Sequence, residues 1–315
     1  MSSMKGLYVI DATKHPKLAA WYAATRPRVF TATYVPMAVA AAVALDDGVF
    51  KPLPFTLALI GVLLLQTGAN LVNEYFDYRR GADELKQAGQ GMVIKNRVLS
   101  PVEVAIGAVV SIVGGSLIGL FLLSQSGPLL WLIGIGGVLT AITYTAGPFP
   151  LAYHGLGEIA AGIFMGPAIV VGAYYVMDTN VYIELVWLSF PVMLMVAAIL
   201  HANNIRDMEA DRAVNKRTLA VVFGRRIANH EYAFLVLGAY VSLVGVVLLG
   251  WMPPLSLVAL ITLPEAWRLV KIYYSNTTDV SLMHQAQGRT AKLHGQFGYL
   301  MAAGWLVWLL LDAVL

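Results

Sequence analysis

Residues 201–220 read HANNIRDMEADRAVNKRTLA, a dense cluster of acids, amides and basic side chains that follows an almost wholly apolar run. In a helix that continued through this segment, Asn203, Asp207 and Asp211 would share one face, because they are spaced i, i+4 and i+8. Carboxylate and amide oxygens on one face are suitable ligands for a hard cation such as Mg²⁺. We call Asn203, Asp207 and Asp211 the second stripe, because a similar one precedes it in the chain. It predicts a magnesium site beside an apolar segment.

An earlier stripe of the same kind lies in GANLVNEYFDYRRGADELK, residues 68–86. The members of this first stripe, Asn70, Asn73 and Asp77, are spaced i, i+3 and i+7 and again share one helical face. Mg²⁺ takes one or two carboxylates and completes its coordination with water and phosphate oxygens, which flanking arginines and lysines can also hold. Two such stripes predict a diphosphate bound between two helix ends. Polar contacts between membrane helices are the structural alternative.

The chain that must position these stripes has the composition of a polytopic membrane protein. Of its 315 residues, 58% are hydrophobic and 12% are charged, whereas soluble domains carry about 25% charged residues. The net charge of +3 gives no indication of nucleic-acid binding, and the absence of cysteine excludes disulfides, thiolate metal sites and cysteine nucleophiles. Apolar segments long enough to cross a bilayer predict an all-α fold of about nine transmembrane helices, at residues 29–46, 53–72, 102–123, 127–145, 156–177, 182–203, 232–251, 254–272 and 296–314.

The distribution of basic residues predicts the orientation of these helices. Short, nearly uncharged connections alternate with longer basic ones, and of the 21 lysines and arginines only Lys51 falls in the uncharged set. The positive-inside rule then places the N-terminus in the cytoplasm, the C-terminus outside and both stripes at the cytoplasmic face of the cell's inner (cytoplasmic) membrane. We expect a cytoplasmic arm over residues 1–28, without a signal peptide. Residues 29–315 should form one transmembrane domain around a central cavity open to the cytoplasm.

Several strings of the chain resemble one protein family. The pair N-E-x-x-D, from Asn73 to Asp77, and D-x-x-x-D, from Asp207 to Asp211, is similar to the two aspartate-rich motifs of the UbiA superfamily of intramembrane aromatic prenyltransferases. The strings NLVNEYFDYRRGAD, YTAGPFPLAYHGLGE and NNIRDMEADRAVNKRTLA resemble the branch that prenylates 1,4-dihydroxy-2-naphthoate in menaquinone biosynthesis. One position departs from the family pattern, since Glu74 stands where the family usually has aspartate.

The resemblance implies a reaction. A polyprenyl diphosphate loses its diphosphate with the help of Mg²⁺, and a lipid-embedded cavity shields the resulting allylic cation from water. The naphthoate ring then attacks the cation and loses its carboxylate as carbon dioxide, which gives a demethylmenaquinol.

The resemblance also implies roles for the polar side chains. The metal ligands would be Asn73 and Asp77 for one Mg²⁺ and Asp207 and Asp211 for a second, with Asn70 and Asn203 in support. Candidates for diphosphate binding are Arg79, Arg80, Lys86, Arg206, Arg212, Lys216 and Arg217. Candidates for lining the cavity or binding the acceptor are Arg26, Asp83, Tyr144, Tyr153, Glu158 and Asn204.

Two other functions stay open on the sequence. A related enzyme that acts on another aromatic acceptor, such as 4-hydroxybenzoate, would use the same ionisation chemistry. A cation-coupled transporter would also place acids in an apolar chain, but transporter sites tend to lie near the bilayer midplane on interrupted helices. Here the acids are predicted to gather at the helix ends.

Overall fold

The computed structural model of the chain describes residues 13–85, 91–275 and 278–314. These residues form helices joined by loops, with no strand among them, which confirms the predicted all-α class. Short 3₁₀ helices cover Pro27–Val29, Leu151–Tyr153 and Pro254–Thr262. The α-helices in chain order are α1 Pro16–Ala24, α2 Thr31–Asp46, α3 Pro52–Arg79, α4 Ala82–Leu85, α5 Pro101–Gln125, α6 Leu129–Thr143, α7 Gly157–Met165, α8 Pro167–Tyr175, α9 Glu184–Leu188, α10 Phe190–Arg206, α11 Met208–Ala213, α12 Leu219–Leu248, α13 Leu263–Tyr274 and α14 Val280–Asp312.

The helices have the lengths and apolar surfaces of a multi-pass membrane protein. The structure also contains a bent helical pair, Pro16–Val29 and Thr31–Asp46, whose two parts meet at 51°. Counting this pair as one span raises the number of candidate membrane spans in the described residues from four to five. Large apolar side chains such as Val241 and Leu248 are 72% and 81% exposed on the outer surface, as lipid contact requires. The prediction of about nine spans stays a prediction. In the described part of the chain, the four helical stretches long and apolar enough to cross a membrane alone are Pro52–Arg79, Pro101–Gln125, Gly157–Tyr175 and Leu219–Leu248.

Prolines and caps determine where several helices begin. Pro101 starts α5, and the hydroxyl of Ser100 before it accepts a hydrogen bond from the N–H of Glu103 at 3.2 Å while the Glu103 carboxylate accepts one from the N–H of Ser100 at 2.7 Å. The predicted span 254–272 is not one α-helix. It divides into the 3₁₀ helix Pro254–Thr262 and α13, because a proline at position 264 lacks an N–H and fits only the first turn of a helix.

The main core lies between α2, α10, α12 and α14. The fully buried side chains there include Met195, Leu243 and Phe297. Helix α14 approaches α2 so closely at Gly298 that a Cβ at this position would collide with Val35, which is a common use of small residues where membrane helices cross. In addition, α3 packs along α5, and α10 packs along α7. This arrangement leaves an open space between α3 and α10.

Candidate active site

A cavity of about 620 Å³ lies between α3, α5, α6, α7, α8 and α10. It extends along α3 from Ala58 to Asp77, a length of about 28 Å at about 1.5 Å per residue. Most of the wall is apolar, and the polar side chains are concentrated where α3 and α10 end. This polar end contains Arg26, Asn70, Asn73, Asp77, Asp83, Tyr144, Asn203, Asn204, Arg206, Asp207 and Lys216.

The first stripe lies on α3 as the spacing predicts. Asn70, Asn73 and Asp77 all face the cavity. The amide nitrogen of Asn70 donates a hydrogen bond to the carbonyl oxygen of Thr25 at 2.9 Å, so the amide oxygen of Asn70 is the atom that can bind a cation. Asp83, on the short helix α4, faces the same cavity. One unbroken helix therefore presents both amides and a carboxylate at the polar end.

The second stripe is arranged differently from the expectation, because α10 does not continue through the motif. It ends at Arg206, and Asp207, with φ −95° and ψ 9°, separates it from α11, so the continuous helix is wrong. The side chain of Asp207 makes no capping hydrogen bond to α11, and both of its carboxylate oxygens bind Arg206 instead. The backbone still keeps helix-like spacing, since the N–H of Asp207 donates to the carbonyl of Asn203 at 3.0 Å and that of Asp211 to the carbonyl of Asp207 at 2.8 Å. Asn203 and Asp207 thus still face the cavity.

Arg206 and Asp207 form an ion pair in the cavity wall. The Nε of Arg206 lies 2.7 Å from Oδ1 of Asp207, and its Nη2 lies 2.6 Å from Oδ2. The two side chains are 5% and 13% exposed. The Nη1 of Arg206 lies 3.3 Å from Nδ1 of His284 on α14. A guanidinium held in this planar, bidentate way is also suited to phosphate oxygens.

Lys216 contacts the second stripe and lies in the electrostatic field of the first. Its Nζ lies 3.3 Å from Oδ1 of Asp211 and 5.8 Å from the ring centre of Tyr153. Burial lowers the pKa of Lys216, but the carboxylates of Asp211 and Asp77 outweigh burial and raise the pKa above its ordinary value. Lys216 also lines the cavity. The lysine is therefore a permanent cation in the field of both stripes, and it stands between Asp211 and the cavity.

Arg80 and Tyr153 lie behind the polar end rather than in the wall described above. The guanidinium of Arg80 lies 4.4 Å from the ring centre of Tyr153 and donates to the carbonyl oxygen of Thr145 at 2.7 Å. This stacking over an aromatic face fixes both side chains. Their position supports the site from outside the cavity.

The remaining basic candidates lie further out. Arg212 binds Glu209 in a pair whose side chains are 52% and 79% exposed, and Arg79 and Arg217 are exposed as well. Lys86 lies outside the described residues. Among the residues that the structure describes, the basic side chains in the cavity wall are Arg26, Arg206 and Lys216.

Glu158, in the first turn of α7, belongs to a buried polar network. Its Oε1 lies 3.0 Å from Nδ1 of His201 and accepts a hydrogen bond from the amide nitrogen of Asn204 at 2.8 Å. The Nε2 of His201 faces the carbonyl oxygen of Ala228 at 2.9 Å. Both ring nitrogens of His201 thus contact oxygen atoms, which fixes the ring between α7 and α12. The network fixes Asn204, which faces the cavity.

Gln66 is a cavity residue that the sequence analysis missed. It lies on α3 in the cavity wall, where its amide nitrogen donates to the carbonyl of Val29 at 3.0 Å and its oxygen accepts from the hydroxyl of Thr33 at 2.6 Å. A signal was present, because Gln66 is spaced i, i−4 from Asn70 and continues the first stripe into an apolar segment.

The oxygen donors at the polar end fit a magnesium site that is shared with a phosphate ligand. In the described parts of the chain, no three His, Cys, Asp or Glu side chains converge so that they could hold a metal ion alone. The cavity instead offers few carboxylates together with amide oxygens. Mg²⁺ is usually held by one or two carboxylates and the phosphates of a substrate rather than by a protein cage.

These features define a helical, multi-pass membrane protein with a long apolar cavity that is polar at one end. Residues 34–286 match the UbiA prenyltransferase family, and the chain belongs to this family. Its fold is similar to that of a UbiA homolog from Aeropyrum pernix K1 in the apo state, with a TM-score of 0.66, 16% identity and coverage of 88% of this chain and 97% of that chain. A UbiA homolog from Archaeoglobus fulgidus bound to DMAPP and Mg²⁺ has a TM-score of 0.62, 14% identity and coverage of 90% and 99%.

Other relatives are more similar to this chain in sequence than the two solved structures are. The chain is 31% identical over 283 residues to the 1,4-dihydroxy-2-naphthoate octaprenyltransferase of Bacillus subtilis (strain 168), with 90% of this chain and 91% of the relative covered. It is 32% identical over 230 residues to the Escherichia coli (strain K12) protein of the same name, with 71% and 75% covered. The UbiA prenyltransferase domain-containing protein 1 of Mus musculus is 30% identical over 292 residues, with 91% and 84% covered.

Proposed function

We propose that the protein transfers a polyprenyl group from a polyprenyl diphosphate to 1,4-dihydroxy-2-naphthoate, giving a demethylmenaquinol for menaquinone biosynthesis. The observation that carries the proposal is a single cavity with residues of both stripes at its polar end and an apolar wall along the rest of α3. A diphosphate head with a long hydrocarbon tail matches this distribution of polar and apolar surface. The names of the bacterial relatives support the choice of acceptor.

The proposal includes Mg²⁺, and the Mg²⁺-bound homolog from Archaeoglobus fulgidus supports it. Asn73 and Asp77 would hold one ion, and Asp207 would hold a second. Asp211, one turn further on, would join the second ion when the side chain of Lys216 turns away from it. When bound, Mg²⁺ supplies positive charge that stabilises the departing diphosphate.

Basic side chains in the wall bind the remaining phosphate oxygens in this proposal. Lys216 is a permanent cation close to both stripes, and Arg206 offers a planar guanidinium. If Asp207 binds a cation, the guanidinium of Arg206 becomes available for phosphate. Charge placed in advance where negative charge develops lowers the barrier to ionisation, because little rearrangement is needed during the reaction.

The transfer breaks two bonds and forms one. The allylic carbon–oxygen bond breaks with its electron pair on the diphosphate, and a ring carbon of the naphthoate forms the new bond to the allylic carbon. The carboxylate leaves as carbon dioxide, and the electron pair of its bond to the ring stays with the ring and restores its aromaticity; a proton released from the attacked carbon is matched by one taken up where the carboxylate leaves. The apolar wall excludes water, which would otherwise capture the allylic cation. Tyr144 belongs to the cavity wall near the first stripe, where its ring face can stabilise this cation.

We further infer about nine spans, with the polar end of the cavity on the cytoplasmic side of the inner membrane. The support is the charge distribution, since only Lys51 among the 21 basic residues falls in the uncharged connections. Residues 29–315 would be one domain, preceded by an arm over residues 1–28. A reporter fused after residue 315 should be external, and one inserted near residue 88 should be cytoplasmic. Two reporters on the same side would contradict an odd number of spans.

Turnover by the purified protein tests the proposed reaction. Detergent-solubilised protein is supplied with Mg²⁺, a long polyprenyl diphosphate and either 1,4-dihydroxy-2-naphthoate or 4-hydroxybenzoate. We expect prenylated product with the naphthoate and loss of turnover when EDTA removes Mg²⁺. Preference for 4-hydroxybenzoate would move the protein to another acceptor, and no diphosphate release with either acceptor would contradict prenyl transfer.

A further inference from the structure

Glu74 is oriented differently from its neighbours in the first stripe. Asn73 and Asp77 face the cavity, whereas Glu74 is 1% exposed and, among the described residues, does not belong to the cavity wall. An α-helix rotates by about 100° per residue, so the side chain next to Asn73 meets a different part of the protein. For Glu74 that part is the loop that leads into α5.

The carboxylate of Glu74 binds successive backbone N–H groups of this loop. Its Oε2 accepts a hydrogen bond from the N–H of Met92 at 3.0 Å, and its Oε1 accepts from Val93 at 2.6 Å and from Ile94 at 3.4 Å. Gly91 and Met92 have positive φ angles of 83° and 54°, and left-handed backbone of this kind turns successive amides towards one anion. A Cβ at Gly91 would collide with the Glu74 carboxylate.

Arg26 approaches the same carboxylate from the cavity. Its Nη2 lies 3.6 Å from Oε2 of Glu74, and the two side chains are 23% and 1% exposed. Arg26 has a φ of 56°, which is uncommon for a residue other than glycine. Arg26 and Met92 both belong to the cavity wall. Glu74 thus joins two parts of the wall that are far apart in the sequence.

We infer that Glu74 is a positioning residue, which holds Arg26 and the Met92–Ile94 backbone at the polar end of the cavity and does not bind the metal. Its carboxylate compensates the charge of Arg26, and the three backbone hydrogen bonds fix the direction of the carboxylate. Arg26 can then present its guanidinium to an anionic oxygen of a substrate, either a carboxylate or a phosphate. The role of Arg26 rests on the proposed function, whereas the attachment of the loop does not.

Hydrogen exchange tests the attachment without any assay of activity. Glu74→Gln keeps one side-chain oxygen but removes the negative charge and one acceptor. We expect exchange of the Met92 and Val93 amides to become faster by about 10-fold or more, because hydrogen bonds to charged groups are the stronger ones. Amides of α12 serve as the internal control. Unchanged exchange at Met92 and Val93 would overturn the inference.

Kinetics test the positioning of Arg26. In Glu74→Gln we expect the KM of one anionic substrate to rise by about 10-fold or more, with the Mg²⁺ concentration for half-maximal activity unchanged. A higher KM for the naphthoate assigns Arg26 to the acceptor carboxylate, and a higher KM for the polyprenyl diphosphate assigns it to the phosphate. Glu74→Asp keeps the charge on a shorter side chain and should lie between wild type and Glu74→Gln. A higher Mg²⁺ requirement with both KM values unchanged would overturn the inference and make Glu74 a metal ligand.

Two glycines provide a further test variant and its matched control. Gly91 and Gly48 have φ angles of 83° and 69°, so alanine strains the backbone at both positions, but only at Gly91 would the new Cβ meet Glu74. Gly91→Ala should reproduce the faster exchange at Val93 and the altered KM, whereas Gly48→Ala should only lower thermal stability. The same changes in both variants would overturn the inference. If the wild-type protein transfers no prenyl group, the proposed function fails, and hydrogen exchange still decides whether Glu74 holds the loop.

Discussion

Lys216→Gln removes a buried cation from beside Asp211, and the loss of this ion pair lowers the free energy of unfolding. The Nζ of Lys216 lies 3.3 Å from Oδ1 of Asp211, and the side chains are 10% and 0% exposed. At this separation two unit charges attract by about 5 kcal/mol for an effective dielectric constant of about 20. Desolvation offsets much of that attraction. Removing one partner of a buried pair nevertheless costs about 3–5 kcal/mol, because the remaining buried charge loses compensation.

We therefore expect Lys216→Gln to unfold at a lower temperature and to lose activity. The stability effect should be about 3–5 kcal/mol. The activity effect should be larger than instability alone explains, since losing a charged contact to a developing anion lowers kcat by about 10²–10³-fold. Lys216→Arg keeps the charge and should restore most of the stability.

The pH dependence follows from the charge state of Lys216. Burial lowers its pKa, but Asp211 and Asp77 raise the pKa above the ordinary value. A raised pKa means that the stabilisation is fully present below the pKa of the unfolded lysine and is lost only as the pH rises through the pKa of the folded state. Between about pH 6 and pH 9, which lies below the unfolded pKa of about 10.4, the difference in stability between wild type and Lys216→Gln should be constant.

Thermal unfolding in detergent and steady-state turnover of the same preparations provide the assay. Arg217→Gln is the matched control, because Arg217 is the adjacent basic residue and is exposed. It should leave both quantities close to wild type. Equal unfolding temperatures for Lys216→Gln and Arg217→Gln, or full turnover of Lys216→Gln, would refute the assignment of Lys216 as the buried cation of the polar end.

Two further predictions concern the polar and apolar parts of the cavity. Asp77→Asn and Asp207→Asn should each lower turnover by about 100-fold or more in folded protein, and near-normal turnover in either variant would contradict a metal site built from both stripes. Gly134 lines the cavity, and a Cβ there would meet no described atom within 4 Å. Gly134→Leu should therefore lower kcat/KM for long polyprenyl diphosphates by about 10-fold more than for short ones. Gly245→Leu on α12, where a Cβ also has no described neighbour within 4 Å, is the control; equal losses for short and long chains would contradict this use of the cavity.

Local periodicity was sufficient to predict the first stripe. Asn70, Asn73 and Asp77 face one cavity because α3 runs unbroken through the whole motif, and spacing within one helix determines which side chains share a face. The apolar segments coincide with helical regions for the same reason, although three of them, 156–177, 182–203 and 254–272, are each divided into two helices.

Contacts between distant segments could not be predicted in this way. Helix α10 ends just before Asp207, and the carboxylate of Glu158 on α7 contacts His201 on α10. Glu74 is the clearest case, since it is adjacent to Asn73 and chemically close to aspartate. Its partners are nevertheless Arg26 and backbone N–H groups 18 to 20 residues further on. These arrangements depend on tertiary packing, which overrides local preference.

The most direct test of the proposed reaction follows the carboxylate of the acceptor. The wild-type protein is supplied with Mg²⁺, a polyprenyl diphosphate and 1,4-dihydroxy-2-naphthoate labelled at its carboxylate carbon, with a parallel sample that lacks the diphosphate substrate. We expect labelled carbon dioxide in amounts equal to the prenylated product, and none in the parallel sample. Label retained in the prenylated product would contradict the decarboxylating transfer and the assignment of the naphthoate as the natural acceptor.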